Sequence, residues 1–201
     1  MATPISAALV QKLREATGTA MMDCKRALEE AAGDFEKAKD VLRIKGLKTA
    51  EKVSTRETAQ GAIGHYVHHD GKKAVIVEVN CQTDFVARTD KFKEFARTLA
   101  MHVAANKPRW VRREEVPAEA VEKEKALILA ESAEEMAKKP EAARVKIIEG
   151  RLQKFFAQHC LVDQLWVMDD KKKVEDVRKD LVAATGENVS IRRFARIEVG
   201  E

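Results

Sequence analysis

"AVIVEVNCQTDFVARTDKF", Ala74 to Phe92, decides the fold. It opens as a branched apolar run ending at Val79, the composition of a well-buried strand. From Phe92 the apolar residues change spacing, and Phe92, Phe95, Leu99 and Val103 recur with the helical period. A strand enters this stretch and a helix leaves it, with Thr83-Asp84-Phe85-Val86 at the corner between them. Thr83 suits the N-cap of the outgoing helix, and Asp84 suits its first turn, where the helix dipole favours an acid. Phe85 has two readings. It stands seven positions before Phe92, so an unbroken helix buries both rings on one core face. Thr89-Asp90, however, has the form of a second cap, and a helix restarting there leaves Phe85 on a protruding turn. Periodicity leaves both readings open.

Upstream, Asp70-Gly71 is a strong turn signal inside "GAIGHYVHHDGKKAVIVEVN", so this segment reads as a β-hairpin. Downstream, a helix runs from about Thr89 to Asn106. Pro117 suits position N1 of the next, which carries Val121, Lys125, Ile128 and Leu129, and Pro140 bounds that region. "EAARVKIIEGRLQKFFAQH" is a further helix with Val145, Ile148, Leu152, Phe155 and Phe156 facing inward, and "KKVEDVRKDLVAATGEN" is another, ended by Gly186. The closing "VSIRRFARIEV" alternates, placing Ile191, Ala195, Ile197 and Val199 on one face of a strand that returns to the hairpin's sheet. Residues 61–201 therefore read as an α+β core domain, a small antiparallel sheet packed by helices.

Residues 1–47 read as a three-helix bundle. Ile5, Leu9, Val10 and Leu13 share a helical face closed by Gly18. Met22, Leu28 and Ala31 fit a second helix that stops at Gly33. Asp34 caps a third, with Phe35, Ala38, Val41 and Leu42, that stops at Gly46. Lys48 to Gln60 has almost no large apolar residue, so residues 48–60 read as a linker.

A hydrophobic fraction of 45% in 201 residues can supply cores of ordinary size. The net charge of +4 comes from mixed signs, without the dense basic stripe of a dedicated nucleic-acid binder. No apolar run approaches the ~20 residues of a membrane span, and the opening "MATPISAALVQKLRE" has no secretory pattern. Cys24, Cys81 and Cys160 are few, odd in number and far apart, which suits a reducing cytosol.

Catalytic templates fail in turn. His65 and His69 share a strand face but stand ~13 Å apart, too far for one metal ion, and His68 points the other way. Cys81 lacks a hydrolase signature around it, and none of the nine glycines forms a phosphate-cradling loop. The expectation is a protein that is not an enzyme and uses no cofactor or metal of its own. What remains is binding surface. "TGTAMMD" places Met21 and Met22 side by side, and a helix cannot bury both on one face. A flexible thioether near the surface suits partner binding; the alternative has both tucked into the bundle end. A basic-aromatic patch, Lys107 to Arg113 around Trp110, is the competing reading, an RNA-associated adaptor that stacks on bases.

Two long strings carry a resemblance. "LREATGTAMMDCKRALEEAAGD", Leu13 to Asp34, and "EVNCQTDFVAR", Glu78 to Arg88, resemble the two signatures of bacterial elongation factor Ts, and "AMHVAANKPRWV", "EGRLQKFF" and "RRFARIEVGE" are similar to that family too. The resemblance covers nearly the whole chain, in the short form with one core unit. It implies a ubiquitin-associated-like N-terminal domain and guanine-nucleotide exchange on the GTPase elongation factor Tu; with the cysteine usage, apolar runs and charge balance above, the expectation is a cytoplasmic protein with no direct nucleic-acid or membrane binding. Thr83, Asp84, Phe85 and Val86 match the segment that dislodges Mg²⁺ from the GTPase. Leu13, Arg14, Met21 and Met22 fall in the region that grips it, and His68 sits where longer members have an interface histidine. With one core unit where longer members carry two, the chain is expected to form a homodimer through its core domain, along the closing strand.

Overall fold

The computed structural model describes residues 5–132 and 139–201. Three helices come first: α1 (Ala7–Thr17), α2 (Met21–Glu30) and α3 (Phe35–Val53). Their ends follow local chemistry. The Ser6 hydroxyl accepts the Leu9 N–H at 3.2 Å, and Asp34 accepts the Lys37 N–H at 3.0 Å. Gly18 takes a left-handed conformation at φ 69° and donates its N–H to the Arg14 carbonyl at 2.6 Å. Val10, Leu13, Cys24, Ala27, Leu28, Ala38 and Leu42 form the buried cluster, with Ile5, Leu9, Phe35 and Val41 packed against it.

Two expectations need correction here. Met22 does not join Leu28 and Ala31 inside; α2 buries Cys24, Ala27 and Leu28, and its first turn projects. Gly46 does not stop α3, which continues to Val53 with Ala50 and Val53 buried. Residues 48–53 of the expected linker are therefore helical. The reason is packing: a Cβ on Gly46 would lie 2.8 Å from the Cβ of Ala183, so the missing side chain permits a close approach.

β1 (Gln60–Val67) and β2 (Lys73–Cys81) form the hairpin. Its turn has Gly71 at φ 69°, the Lys72 N–H on Asp70 Oδ1 at 2.8 Å, and the His68 N–H on the Lys73 carbonyl at 2.9 Å. The last strand, β5 (Val189–Glu198), completes a three-stranded antiparallel sheet of order β1-β2-β5 and lies at its edge. Val75, Val77, Val79 and Cys81 give β2 one buried face. In β5 the burial pattern changes at Arg192–Arg193, both exposed. Val189 and Ile191 are buried, but beyond that point Phe194, Arg196 and Glu198 are the half-buried residues while Ala195 and Ile197 are exposed. Ile191 is thus buried while Ala195, Ile197 and Val199, expected to share its face, are exposed.

After β2 come α4 (Asp84–Ala87) and α5 (Asp90–Asn106), then a 3-10 turn (Arg113–Glu115), α6 (Ala118–Glu131) and α7 (Glu141–His159). Pro117 is the N-cap of α6, so position N1, expected at Pro117, falls on Ala118. In α7 Phe155 is buried and Ile148, Leu152 and Phe156 are half-buried, whereas Val145, expected inside, is exposed. A two-stranded sheet that the sequence did not announce, β3 (Leu165–Trp166) with β4 (Asp169–Lys173), precedes α8 (Val174–Thr185). Its support is a buried histidine. His102 lies 2.9 Å from Gln164 Oε1 through Nε2, accepts the Val167 N–H at 3.2 Å through Nδ1, and stacks on Trp166. Burial holds its pKa below the ordinary value, which keeps that acceptor lone pair available.

The chain forms two compact units. One comprises Met1–Gly64, Val77–Thr98 and Asp176–Arg192; the other comprises His65–Ile76, Leu99–Glu175 and Arg193–Glu201. Among the described residues, no helix is long and apolar enough to cross a membrane.

Candidate partner-binding surface

The corner after β2 is built by two successive caps. Thr83 is extended, at φ −124° and ψ 154°, and its Oγ1 accepts the Val86 N–H at 3.4 Å to start α4. The helix lasts one turn. The Thr89 N–H and hydroxyl both donate to the Val86 carbonyl, at 3.0 and 2.8 Å, and Thr89 Oγ1 then accepts the Phe92 N–H at 3.3 Å, so a new helix begins at Asp90. Of the two readings of Phe85, the protruding turn is the one observed: its side chain is 79% exposed, whereas Phe92 is fully buried. Asp84 is half-buried at the head of α4 and pairs with Arg88 at 2.9 Å. Val86 is half-buried, and Ala87 is the residue that α4 buries.

Glu187, in the turn between α8 and β5, holds the corner from outside. Its carboxylate accepts the Thr83 N–H at 3.1 Å and the Thr83 hydroxyl at 2.7 Å. The Cys81 thiol donates to the Thr83 carbonyl at 3.1 Å; burial and the neighbouring Glu187 charge push its pKa up, so it stays a protonated donor.

In the N-terminal helices the expected contact residues divide. Arg14 is exposed, and so are both Met21 (44%) and Met22 (59%). The methionines are neither split between surface and core nor tucked into the bundle end: both project, because α2 starts at Met21 and the residue it turns inward is Cys24. Leu13 has no exposed area. It is a core residue beneath this surface and in this conformation offers nothing to a partner directly. The turn before α2 is tied to the first turn of α5: Lys91 Nζ donates to the Gly18 carbonyl at 3.0 Å. The methionine turn and the Phe85 corner belong to the same compact unit.

His68 belongs to the other unit, at the β1–β2 turn. It is half-buried, its Nδ1 lies 2.9 Å from the Tyr66 hydroxyl, and its ring lies 4.3 Å from that of His69. Within the basic-aromatic patch Lys107 and Arg109 are exposed, while Trp110 and Arg113 are engaged in internal packing. Trp110 lies against the cluster of Val116, Phe155 and Cys160. Arg113 grips Asp163 with two bonds of 2.7 and 2.6 Å while its guanidinium sits over Phe156 at 5.0 Å. Cys160 is buried, with its thiol pKa raised to about 11.

The family model described as elongation factor TS matches residues 7–201. The chain is 55% identical over 197 residues to an elongation factor Ts of Anaeromyxobacter dehalogenans, covering 98% of this chain and 89% of that protein. It is 54% identical to those of Thermotoga neapolitana and Thermotoga maritima, again over 98% of this chain and over 98% and 97% of theirs.

The chain belongs to the elongation factor Ts family. It is therefore of a translation elongation factor family, with an α+β fold. Within this elongation factor Ts fold, sequence reasoning reached the corner and the methionine turn but missed Glu187 and Lys91. Lys91 stands 73 residues from Gly18, and Glu187 stands 104 from Thr83. No local pattern encodes such pairings. "TGEN", an acid between a helix-ending glycine and an asparagine, is the only hint the sequence carries.

Proposed function

We propose that this chain is a guanine-nucleotide exchange factor for elongation factor Tu, acting on the GDP-bound GTPase through the Thr83–Val86 corner. The observation that carries the reading is Phe85, a large rigid ring 79% exposed on a one-turn helix with Asp84 beside it. Exposing a phenylalanine forgoes about 1.5–3 kcal/mol of burial, and a partner surface that receives it recovers that energy. Phe85 inserts as a wedge. Asp84 brings a fixed negative charge and a hydrogen-bond acceptor to the tip. The target is a Mg²⁺ held by phosphate, water and a few protein oxygens, and this ion demands near-ideal octahedral geometry. Displacing its ligands by about an ångström loosens it. GDP then loses a main counter-charge and leaves faster. By linkage, whatever this chain takes from GDP affinity, GDP takes from the affinity of this chain, so GTP refilling the site releases the factor. No covalent chemistry takes place on the chain, and it needs no cofactor.

The three N-terminal helices, a ubiquitin-associated-like bundle, serve as the affinity module, with Met21, Met22 and Arg14 as the contact face and Leu13 as the support below. His68 is a secondary contact. The factor works in the cytoplasm, where three buried thiols stay reduced. The core domain forms a homodimer. Edge strand β5 supports this, since Ile197 is 72% exposed and Ile76 is exposed on the neighbouring strand β2; an edge with an apolar face is a site for symmetric pairing.

Release of labelled GDP from elongation factor Tu tests the central reading. The intact chain accelerates release in the presence of Mg²⁺, and Phe85→Ala loses most of that acceleration. An unchanged rate with folded Phe85→Ala would overturn the wedge. Light scattering under reducing conditions tests the dimer: a mass near 22.5 kDa that does not rise on concentration rules it out, and Ile197→Asp should convert a dimer to folded monomer.

A further inference from the structure

We propose that Glu187 is a positioning residue for the Asp84–Phe85 corner, a role that rests on the exchange reading above. Its carboxylate takes both protons that Thr83 can offer, the N–H at 3.1 Å and the hydroxyl at 2.7 Å. With its proton committed to Glu187, the hydroxyl oxygen presents its lone pairs to the Val86 N–H. The carboxylate thus fixes the cap, and the cap fixes the direction in which α4 leaves the sheet. α4 cannot do this for itself. It has four residues and buries one alanine, and a single helical turn is not stable alone.

The anchor is itself held. Asn188, the next residue, is buried, and its amide donates to the Ser54 carbonyl at 3.1 Å and the Arg56 carbonyl at 2.8 Å. The corner is therefore referenced, through Glu187 and Asn188, to the chain just beyond α3. A carboxylate suits this place because both Thr83 groups donate; an amide has one acceptor and would set a donor against one of them.

The test uses the full chain and GDP-loaded elongation factor Tu. Stopped-flow GDP release is titrated over the concentration of the factor, with Mg²⁺ and again in chelator. Glu187→Ala should lower the maximal release rate about tenfold in Mg²⁺ with little change in the half-saturating concentration, as expected when a contacting group is misplaced and not removed. In chelator, where no ion has to be displaced, the variant should match the parent. Thr83→Val should fall as Glu187→Ala does, and the double variant should fall no further. A full rate in Glu187→Ala, an equal loss with and without Mg²⁺, or a loss confined to half-saturation overturns the proposal. If Glu187→Ala does not fold, Thr83→Val decides, because it removes the hydroxyl and keeps the shape. Phe85→Ala is run in parallel. Normal release in that variant overturns the exchange reading itself, while slow release with normal Glu187→Ala and Thr83→Val overturns only the positioning.

Discussion

Phe85 and Phe92 are the same residue seven positions apart on one stretch of helix-forming sequence, and they end in opposite environments. One is 79% exposed and the other fully buried. An unbroken helix would put both in the core, since seven residues make nearly two helical turns. What separates them is Thr89, whose side chain closes α4 on the Val86 carbonyl and opens α5 on the Phe92 N–H. Interrupting the helix for two residues is enough to rotate Phe85 off the buried stripe. A capping residue inside a periodic run thus marks where a side chain has been taken out of the core, and in this chain the one so removed carries the proposed function.

The largest test of this contrast is to truncate both rings. Phe92→Ala should cost about 3–5 kcal/mol, the transfer term plus the cavity left behind. Phe85→Ala should stay within about 0.5 kcal/mol of the parent, as exposed substitutions do. Urea unfolding measures both. A stability loss in Phe85→Ala approaching that of Phe92→Ala would mean that the ring is buried in solution and that the contrast is false.

Next in size is Gly46→Val. The same lesson is at work there, a local signal overruled by what lies across from it: glycine read as a helix stop is the place where α3 and Ala183 come close. Branched bulk at a Cβ already 2.8 Å from its neighbour is overpacking, and should cost about 1–3 kcal/mol. If Gly46→Val instead stabilises the chain, as relief of glycine's backbone entropy alone would do, the close approach is not what selects glycine.

Much of the fold was legible because it is written locally. Gly18, Asp34, Thr83 and Asp70-Gly71 each act within a few residues, and each does what its chemistry suggested. What was not legible depends on distant partners. The extension of α3 to Val53 is decided by Ala183 and by burial of Ala50 and Val53. Burial along β5 changes beyond Arg192 and leaves Ile197 exposed although the letters alternate without a break. Leu13 sits inside one of the two strings that carry the family resemblance, yet it is core. Glu187 reaches Thr83 across 104 positions. The candidate site was half visible: the corner announced itself by its caps, but the group that steadies it did not.

Thr89→Ala acts on the interruption itself. It removes the side-chain bonds to the Val86 carbonyl and the Phe92 N–H, and should cost about 0.5–2 kcal/mol, the usual range for a lost N-cap. With the barrier between α4 and α5 weakened, a continuous helix becomes more accessible and draws Phe85 toward the Phe92 face. Hydrogen exchange should show protection gained at Thr89 and Asp90 amides. If protection there falls together with stability, the segment frays and does not fuse, and Thr89 is a brace without being a switch in register.

The smallest expected effect is Arg88→Ala. Arg88 pairs with Asp84 at 2.9 Å across one turn of α4, with side chains 77% and 45% exposed. Such a surface pair is worth about 0.3–0.5 kcal/mol, so the urea midpoint should barely move, and less still at high salt. The interest lies in what the loss does to the acid. Asp84 without its partner keeps its place in the first turn of α4, and its charge at the tip is no longer neutralised. If Asp84 acts as a free charge against a partner's cation, Arg88→Ala should retain exchange or raise it at low salt, whereas Asp84→Ala should lower it. If both variants lose exchange to the same extent, the pair acts as one unit, and it is the shape of the tip, together with Phe85, that the partner meets.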